Sequence, residues 1–391
     1  MSDMLDIVVV GGGIHGAGVA QAAAVGGYQV LLLEQATLGA GTSSRSSKLI
    51  HGGLRYLEGG HIRLVRESLA ERETLLAIAP DLVTRQAFHI PLYATSHRRP
   101  WQVAAGLALY RLLARAHGDF ASVPRREWDQ LDGLATGNLQ AVYRYYDAQT
   151  DDLALTRAIA HSAAQFGADI RVAARFLGAE RQSRGYEVRF MTGGDVTTCM
   201  TRALVNAAGP WAGQVLGRIL PGPPRLALDL VQGTHIFTRG RLSCGAYYTE
   251  APADHRPVFV MPWRDGILTG TTETLYAGDP GQAAPLPQEI AYLQEVLRAY
   301  FPHLDTTPQD AFAGLRVLVR ADGAFGRRPR EVTLLADAPN PRLISIIGGK
   351  LTGYRLTAAR VLARLAASLP ARTPQADTRF LPLTPALPGP A

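Results

Sequence analysis

Asp6-Ile7-Val8-Val9-Val10 runs directly into Gly11-Gly12-Gly13-Ile14-His15-Gly16-Ala17-Gly18, and a second apolar run, Val30-Leu31-Leu32-Leu33, ends at Glu34. A β-branched run of strand length, a glycine turn, small residues as far as Ala24 and another buried run make one strand–turn–helix–strand unit. Each glycine has a physical task. Gly11 permits the tight turn, Gly13 lets the main chain approach a pyrophosphate at the helix N-terminus, and Gly16 allows helix and strand to pack closely. Glu34 is placed to accept hydrogen bonds from an adenosine ribose, and an acid there favours a free ribose hydroxyl over a phosphorylated one. The unit predicts a Rossmann-like domain binding FAD or NAD, and by itself does not choose between them.

Downstream, Thr42-Ser43-Ser44-Arg45-Ser46-Ser47-Lys48-Leu49-Ile50-His51-Gly52-Gly53-Leu54-Arg55-Tyr56-Leu57-Glu58 concentrates hydroxyls around a lysine, a loop suited to phosphates or to the polar edge of a ring system. Val205-Asn206-Ala207-Ala208-Gly209-Pro210-Trp211 reads as a strand ending in small residues, where a ligand approaches the backbone. Leu343 to Ile347 followed by Gly348-Gly349-Lys350-Leu351-Thr352-Gly353-Tyr354 predicts a buried strand, two glycines and a helix starting at Lys350, with its positive end toward a ligand. Of the 40 basic residues only Lys48 and Lys350 are lysines. In so arginine-biased a chain, a retained lysine points to a need for a compact ammonium.

Helical spacing covers residues 61 to 79, about 152 to 166 and about 287 to 300, while 225 to 275 break into short strands that suggest an antiparallel sheet. The apolar stretch from Trp101 to Ala114, with Arg98, Arg99, Arg111 and Arg115 about it, is too short to span a bilayer. It reads equally as an interfacial helix or as one buried between domains.

The 391 residues correspond to two or three domains at ~150 residues each. Apolar residues at 47%, charged residues at 19% and a net charge of +7 describe a folding chain and exclude a disordered one. Cys199 and Cys244 belong to no Cys/His cluster, which argues against a disulfide framework and a metal site and fits a reducing cytoplasm. The basic residues are scattered without interleaved aromatics, against nucleic acid as a partner. No apolar run is long enough for a span, and no secretory leader pattern stands at the start.

The blocks GGGIHGAG, TSSRSSKLIHGGLRYLE, NAAGPW, AGLRVL and GGKLTGYR, in this order, resemble those of the FAD-dependent glycerol-3-phosphate dehydrogenases, within the D-amino-acid-oxidase-like flavoprotein group, over residues 5 to about 369. The resemblance implies an α/β fold with an α+β substrate part, in which a Rossmann-like FAD-binding domain (1–85, 145–215 and 336–369) interleaves with an antiparallel-sheet substrate domain (86–144 and 216–335), followed by a Pro-rich tail (370–391). It implies FAD as cofactor. Gly11, Gly13, Gly16 and Glu34 would hold its ADP half, Ser46, Ser47, Lys48 and Leu49 would run along pyrophosphate and flavin, and Gly348, Gly349, Lys350, Leu351 and Thr352 would face the flavin edge. Ile14, His15, Gln35, Thr42, Ser43, Gly209 and Trp211 complete the cofactor-binding set.

The implied reaction oxidises the C2 alcohol of sn-glycerol 3-phosphate to dihydroxyacetone phosphate, with hydride passing to flavin N5. Arg316 and Arg330 would grip the phosphate, Arg55 and Tyr56 position the substrate, His235 act as a base of near-neutral pKa, and Lys350 stabilise developing negative charge, giving His235, Lys350 and Arg316 as the catalytic set. The small phosphorylated polyol leaves open the electron acceptor, whether quinone, oxygen or a partner protein, and also a peripheral contact with the inner membrane face. His15 replaces the asparagine usual in the family's glycine loop, and the chain stops about where the family's C-terminal helical domain would begin. A related FAD oxidase of a 2-hydroxy acid or an amino acid, and an FAD-binding subunit of a larger complex, are the alternatives.

Overall fold

The computed structural model describes residues 4–114, 119–320 and 331–386. Its first sheet has nine strands, and the centre is parallel: Leu343–Ile347, Asp195–Asn206, Leu5–Val10, Val30–Leu33 and Asp169–Arg171 lie side by side in that order. Strands buried on both faces need unbroken apolar runs, which is what Ile7 to Val10 and Val30 to Leu33 supply. Helix Ile14–Val25 crosses from the first strand to the second and packs between helices Asp152–Gln165 and Tyr354–Leu365. Its small residues make that approach feasible: a Cβ on Gly18 would lie 2.6 Å from the Tyr354 ring. Asp151 starts the second of these helices, its carboxylate accepting from the Ala154 N–H at 3.0 Å.

The second sheet has ten strands and is mainly antiparallel. Leu228–Arg239 lies between Gly266–Gly270 and Pro308–Val319, and in this register His235 stands opposite Gly270 on one side and Phe312 on the other. Helix Pro287–Tyr300 covers the sheet with Leu293, Val296 and Leu297, each fully buried and worth about 1.5 to 3 kcal/mol of apolar burial.

The two-sheet architecture is the expected one, with differences in detail. Leu49–Ile50 pairs with Leu139–Thr150, so both run in the second sheet past the suggested boundaries, whereas Ile219–Leu220 and Thr333–Ala336 join the first. Sheet membership is set by the hydrogen-bonding partner, which local composition does not encode. The closing helix starts at Tyr354 and not at Lys350. Gly348 and Gly349 hold φ of +71° and +103°, and residues 350–353 form a turn closed by the Gly353 N–H donating to the Lys350 carbonyl at 3.2 Å. The tail is anchored as far as it is described: Gln375 N–H donates to the Val25 carbonyl, and Leu383, 2% exposed, docks beside Ile78. Helix Pro100–Leu113 buries Val103, Leu107 and Tyr110 while leaving Trp101 and Leu112 exposed. Among the described residues no helix is long and apolar enough to cross a membrane.

Candidate functional site

The carboxyl ends of the parallel strands open onto a cavity of about 1150 Å³ that extends between the two sheets. Gly11, Glu34, Ala207 and Gly348 each follow the last residue of a strand and line it, the place where open α/β sheets bind ligands. The wall here is main chain. Gly11, at φ +109°, passes so close to Ala207 that a Cβ would lie 2.6 Å from its carbonyl oxygen, and a Cβ on Gly16 would lie 1.8 Å from the Gly11 oxygen. Glu34 accepts the Gly12 N–H at 2.7 Å and the Ala36 N–H at 2.8 Å, which fixes its carboxylate at one end of the cavity. His15 lies on the wall with Nδ1 buried and without a partner, against the Gly349 turn, and burial pushes its pKa down to about 4. A long groove with close main-chain approach, a carboxylate at one end and an orphaned imidazole nitrogen fits FAD.

Most of the expected cofactor set meets here. Gly11, Gly13, Ile14, His15, Glu34, Gln35, Thr42, Ser43, Ser46, Ser47, Leu49, Gly209, Trp211 and Gly348 through Thr352 line the cavity. Gly16 acts from behind, through helix packing. Lys48 does not line it: with φ +58°, its side chain turns into the protein, donating to Asp152 Oδ1 and to the Ser44 carbonyl, both at 2.6 Å. Desolvation of an ammonium demands such partners. Asp152 also takes the Ser46 N–H and hydroxyl at 2.9 and 2.6 Å, so the lysine's contribution is to hold the serine loop in shape. Ser43 Oγ accepts the Ile14 N–H at 2.8 Å, satisfying an open donor at the helix start.

A second cavity of about 110 Å³ adjoins the first and shares Ser47, Leu49, His51, Tyr56, Thr271 and Arg316 with it. Arg55, Arg256 and Arg316 bring three guanidinium groups to this wall, with Glu273 among them. Arg316 reaches it because position 233 is glycine, where a Cβ would lie 2.5 Å from the guanidinium. Arg316 is held at this wall by a carboxylate it shares: Nη1 donates to Glu273 Oε1 at 2.6 Å, and Arg256 bonds the other carboxylate oxygen at 3.0 Å. Lys350 Nζ is buried 3.6 Å from the centroid of the Tyr56 ring, on which the His51–Leu57 loop ends. That loop is held from beneath, since Gly52 N–H donates to Tyr110 Oη, Tyr110 donates to Asp147, and Arg72 binds Asp147 at 2.6 Å.

His235 borders the large cavity, stacked on Phe312 with ring centroids 5.0 Å apart and Nε2 2.9 Å from Ser47 Oγ. Its pKa is not near neutral. Burial, with the charges of Arg316 and Lys48 adding to it, lowers it to about 3, so the ring is neutral. Arg330 lies outside the described residues. The sequence reading missed His51, Tyr248, Arg256, Thr271 and Glu273 as cavity residues. His51 stood inside a quoted motif; the others come from strands and connections whose patterns speak only of packing.

Comparison with known proteins agrees with this geometry. The family described as FAD dependent oxidoreductase matches residues 6–369. A glycerol-3-phosphate dehydrogenase of Pseudomonas aeruginosa is 37% identical over 375 residues, covering 93% of this chain and 72% of the relative. A D-erythritol 1-phosphate dehydrogenase of Brucella abortus is 36% identical over 377 residues, covering 92% and 73%. Among solved structures, the glycerol-3-phosphate dehydrogenase of Bacillus halodurans complexed with FAD superposes with a TM-score of 0.75 at 27% identity, covering 98% of this chain and 68% of that one. By its sequence, its fold and the cavity its strands enclose, the chain belongs to the FAD-dependent oxidoreductase family.

Proposed function

We propose that this FAD-dependent oxidoreductase oxidises the C2 alcohol of sn-glycerol 3-phosphate to dihydroxyacetone phosphate. The observation that carries the reading is the small cavity with three arginines opening into the cofactor groove. When bound, FAD supplies the two-electron acceptor; the residues from Gly11 to Glu34, Ser46, Ser47 and the turn from Gly348 to Thr352 would hold it.

Arg316, Arg55 and Arg256 offer the charge-assisted, bidentate hydrogen bonds that a phosphate dianion accepts, and Arg330 is proposed as a further partner. Tyr56 packs beside Lys350, and the Lys350 ammonium stabilises negative charge at the reacting oxygen and at the cofactor edge. His235, kept neutral, is the proton acceptor that the site supplies. His235 is 2% exposed, so its ring is shielded from bulk solvent.

Anaerobic mixing tests the proposal: sn-glycerol 3-phosphate bleaches the flavin absorbance, whereas glycine and 2-hydroxyglutarate leave it unchanged. The reverse pattern overturns it in favour of a carboxylate substrate. Since the Brucella relative is named for a longer polyol phosphate, D-erythritol 1-phosphate is run beside it, and faster bleaching by that compound assigns the longer substrate.

An anionic bilayer is the proposed second partner, from the cytoplasmic side. Helix Pro100–Leu113 exposes Trp101, Leu109 and Leu112 together with exposed Arg99 and Arg111, the pattern of a helix lying in the headgroup region. That position favours a membrane-dissolved quinone as electron acceptor. Co-sedimentation with phosphatidylglycerol vesicles, lost in the Trp101→Ser/Leu112→Ser double variant, is the expected result.

A further inference from the structure

His235 can accept a proton, yet little of its ring is open to a substrate. Nδ1 is buried and without a hydrogen-bond partner. One face lies on Phe312 at an interplanar angle of 16°, and the Cδ2 edge abuts position 270, where even a Cβ would come within 2.1 Å. The remaining nitrogen, Nε2, is 2.9 Å from Ser47 Oγ. Ser47 borders both cavities, whereas His235 borders only the larger. The hydroxyl therefore stands between the imidazole and the pocket that carries the arginines.

We propose that Ser47 is a further catalytic residue, whose hydroxyl relays the proton of the substrate alcohol to His235 Nε2. The inference rests on the polyol phosphate reading above. The substrate O–H bond breaks and a new O–H bond forms at Ser47 Oγ, while the original Ser47 O–H bond breaks and its proton joins Nε2. The hydrogen on C2 leaves with its electron pair to the two-electron acceptor that FAD supplies, so the products are the ketone and an imidazolium. The relay requires the tautomer in which Nδ1 carries the other ring proton.

The surroundings suit a relay that must reset. The charged groups that face His235 are Lys48, paired with Asp152, and Arg316, paired with Glu273. Lys48 Nζ stands 5.2 Å from the centroid of the Phe312 ring on which His235 stacks. Both cations disfavour the imidazolium and promote its deprotonation after the substrate is oxidised. The clamp of Asp152 on Ser46 and Lys48 fixes the neighbouring serine, so that Ser47 keeps its distance to Nε2.

The test compares Ser47→Ala, Ser47→Thr, His235→Gln and the Ser47→Ala/His235→Gln double variant as FAD-loaded enzymes. At saturating FAD, Ser47→Ala is expected to slow anaerobic flavin bleaching about 100-fold or more, with the substrate concentration for half-saturation within about threefold of wild type. Ser47→Thr, which keeps the hydroxyl, restores the rate to within about tenfold. The double variant is no slower than the slower single one, as for two members of one relay.

A second readout needs neither cofactor nor substrate. In histidine-labelled apoprotein, the ¹⁵N resonance of His235 Nε2 shifts in Ser47→Ala and keeps its place in Ser47→Thr. An unchanged rate in Ser47→Ala, equal losses in the alanine and threonine variants, multiplying losses in the double variant, or a nitrogen resonance indifferent to alanine each overturns the relay. Wild-type enzyme that sn-glycerol 3-phosphate fails to bleach overturns the substrate reading instead, and the nitrogen spectrum still reports on the Ser47–His235 contact.

Discussion

At the first sheet the cavity wall is main chain: Gly11 lies against Ala207, Gly16 against Gly11, and N–H groups meet the Glu34 carboxylate. At the second sheet the wall is side chain: Arg316 reaches across Gly233, Arg256 and Arg316 share Glu273, and His235 meets Ser47. A backbone wall recognises what every such dinucleotide has, a pyrophosphate next to an adenosine ribose. A side-chain wall recognises what is particular to one substrate, and it is altered by single substitutions without disturbing the fold. The cofactor end should therefore fail all at once, and the substrate end by degrees.

The largest effect tests the first half of that contrast. Gly16→Val places a branched side chain where even a Cβ would sit 1.8 Å from a carbonyl oxygen, so it costs about 3 kcal/mol or more and abolishes FAD binding. Denaturant midpoints and flavin content measure both. A variant that stayed yellow and stable would show the backbone wall to be adaptable.

Arg316→Ala tests the second half. It removes charge-assisted hydrogen bonds worth roughly 1.5 to 3 kcal/mol, raising KM for the phosphorylated polyol about 10- to 100-fold, with FAD affinity unchanged. Loss of FAD together with substrate would mean that the two ends are a single unit.

A smaller effect compares the ends through pH. His15 at the cofactor end and His235 at the substrate end have pKa values of about 4 and about 3 in the fold, both below the unfolded value near 6.5. Below pH 6.5 the unfolded chain binds more protons than the native one, so stability falls as the solution is acidified toward pH 4. The slope reaches about 1.4 kcal/mol per pH unit for each such histidine. His89, also lowered to about 4 by burial, adds to it. Urea midpoints between pH 7 and 4 should show a shallower slope in His15→Asn and in His235→Gln. Equal slopes in all three proteins would remove the buried histidines as its cause.

Legibility followed the same division. The glycine loop, Glu34, the serine loop and the Gly348–Thr352 turn were readable because each is contiguous in sequence and its spacing is dictated by local backbone geometry. Arg55 and Tyr56 were found within such a block. Lys48 was misread because a lysine in a polar loop looks the same whether its ammonium meets a ligand or, as here, Asp152 from a helix 104 positions away. Glu273, Arg256 and Tyr248 gave no signal, since a single charged or aromatic residue in or beside a strand has no periodicity of its own.

The sequence by itself determined the parallel strand unit, the dinucleotide turn and the loop of hydroxyls, because 3.6-residue and two-residue periodicities and the absence of a Cβ act over a few neighbours. Only the tertiary structure decided that one carboxylate holds two of the arginines, that His235 is neutral and faces a serine, and that one lysine props a loop while the other lies over Tyr56 at the cavity. Those outcomes depend on burial and on which strands become neighbours, and both arise when the two sheets close on each other.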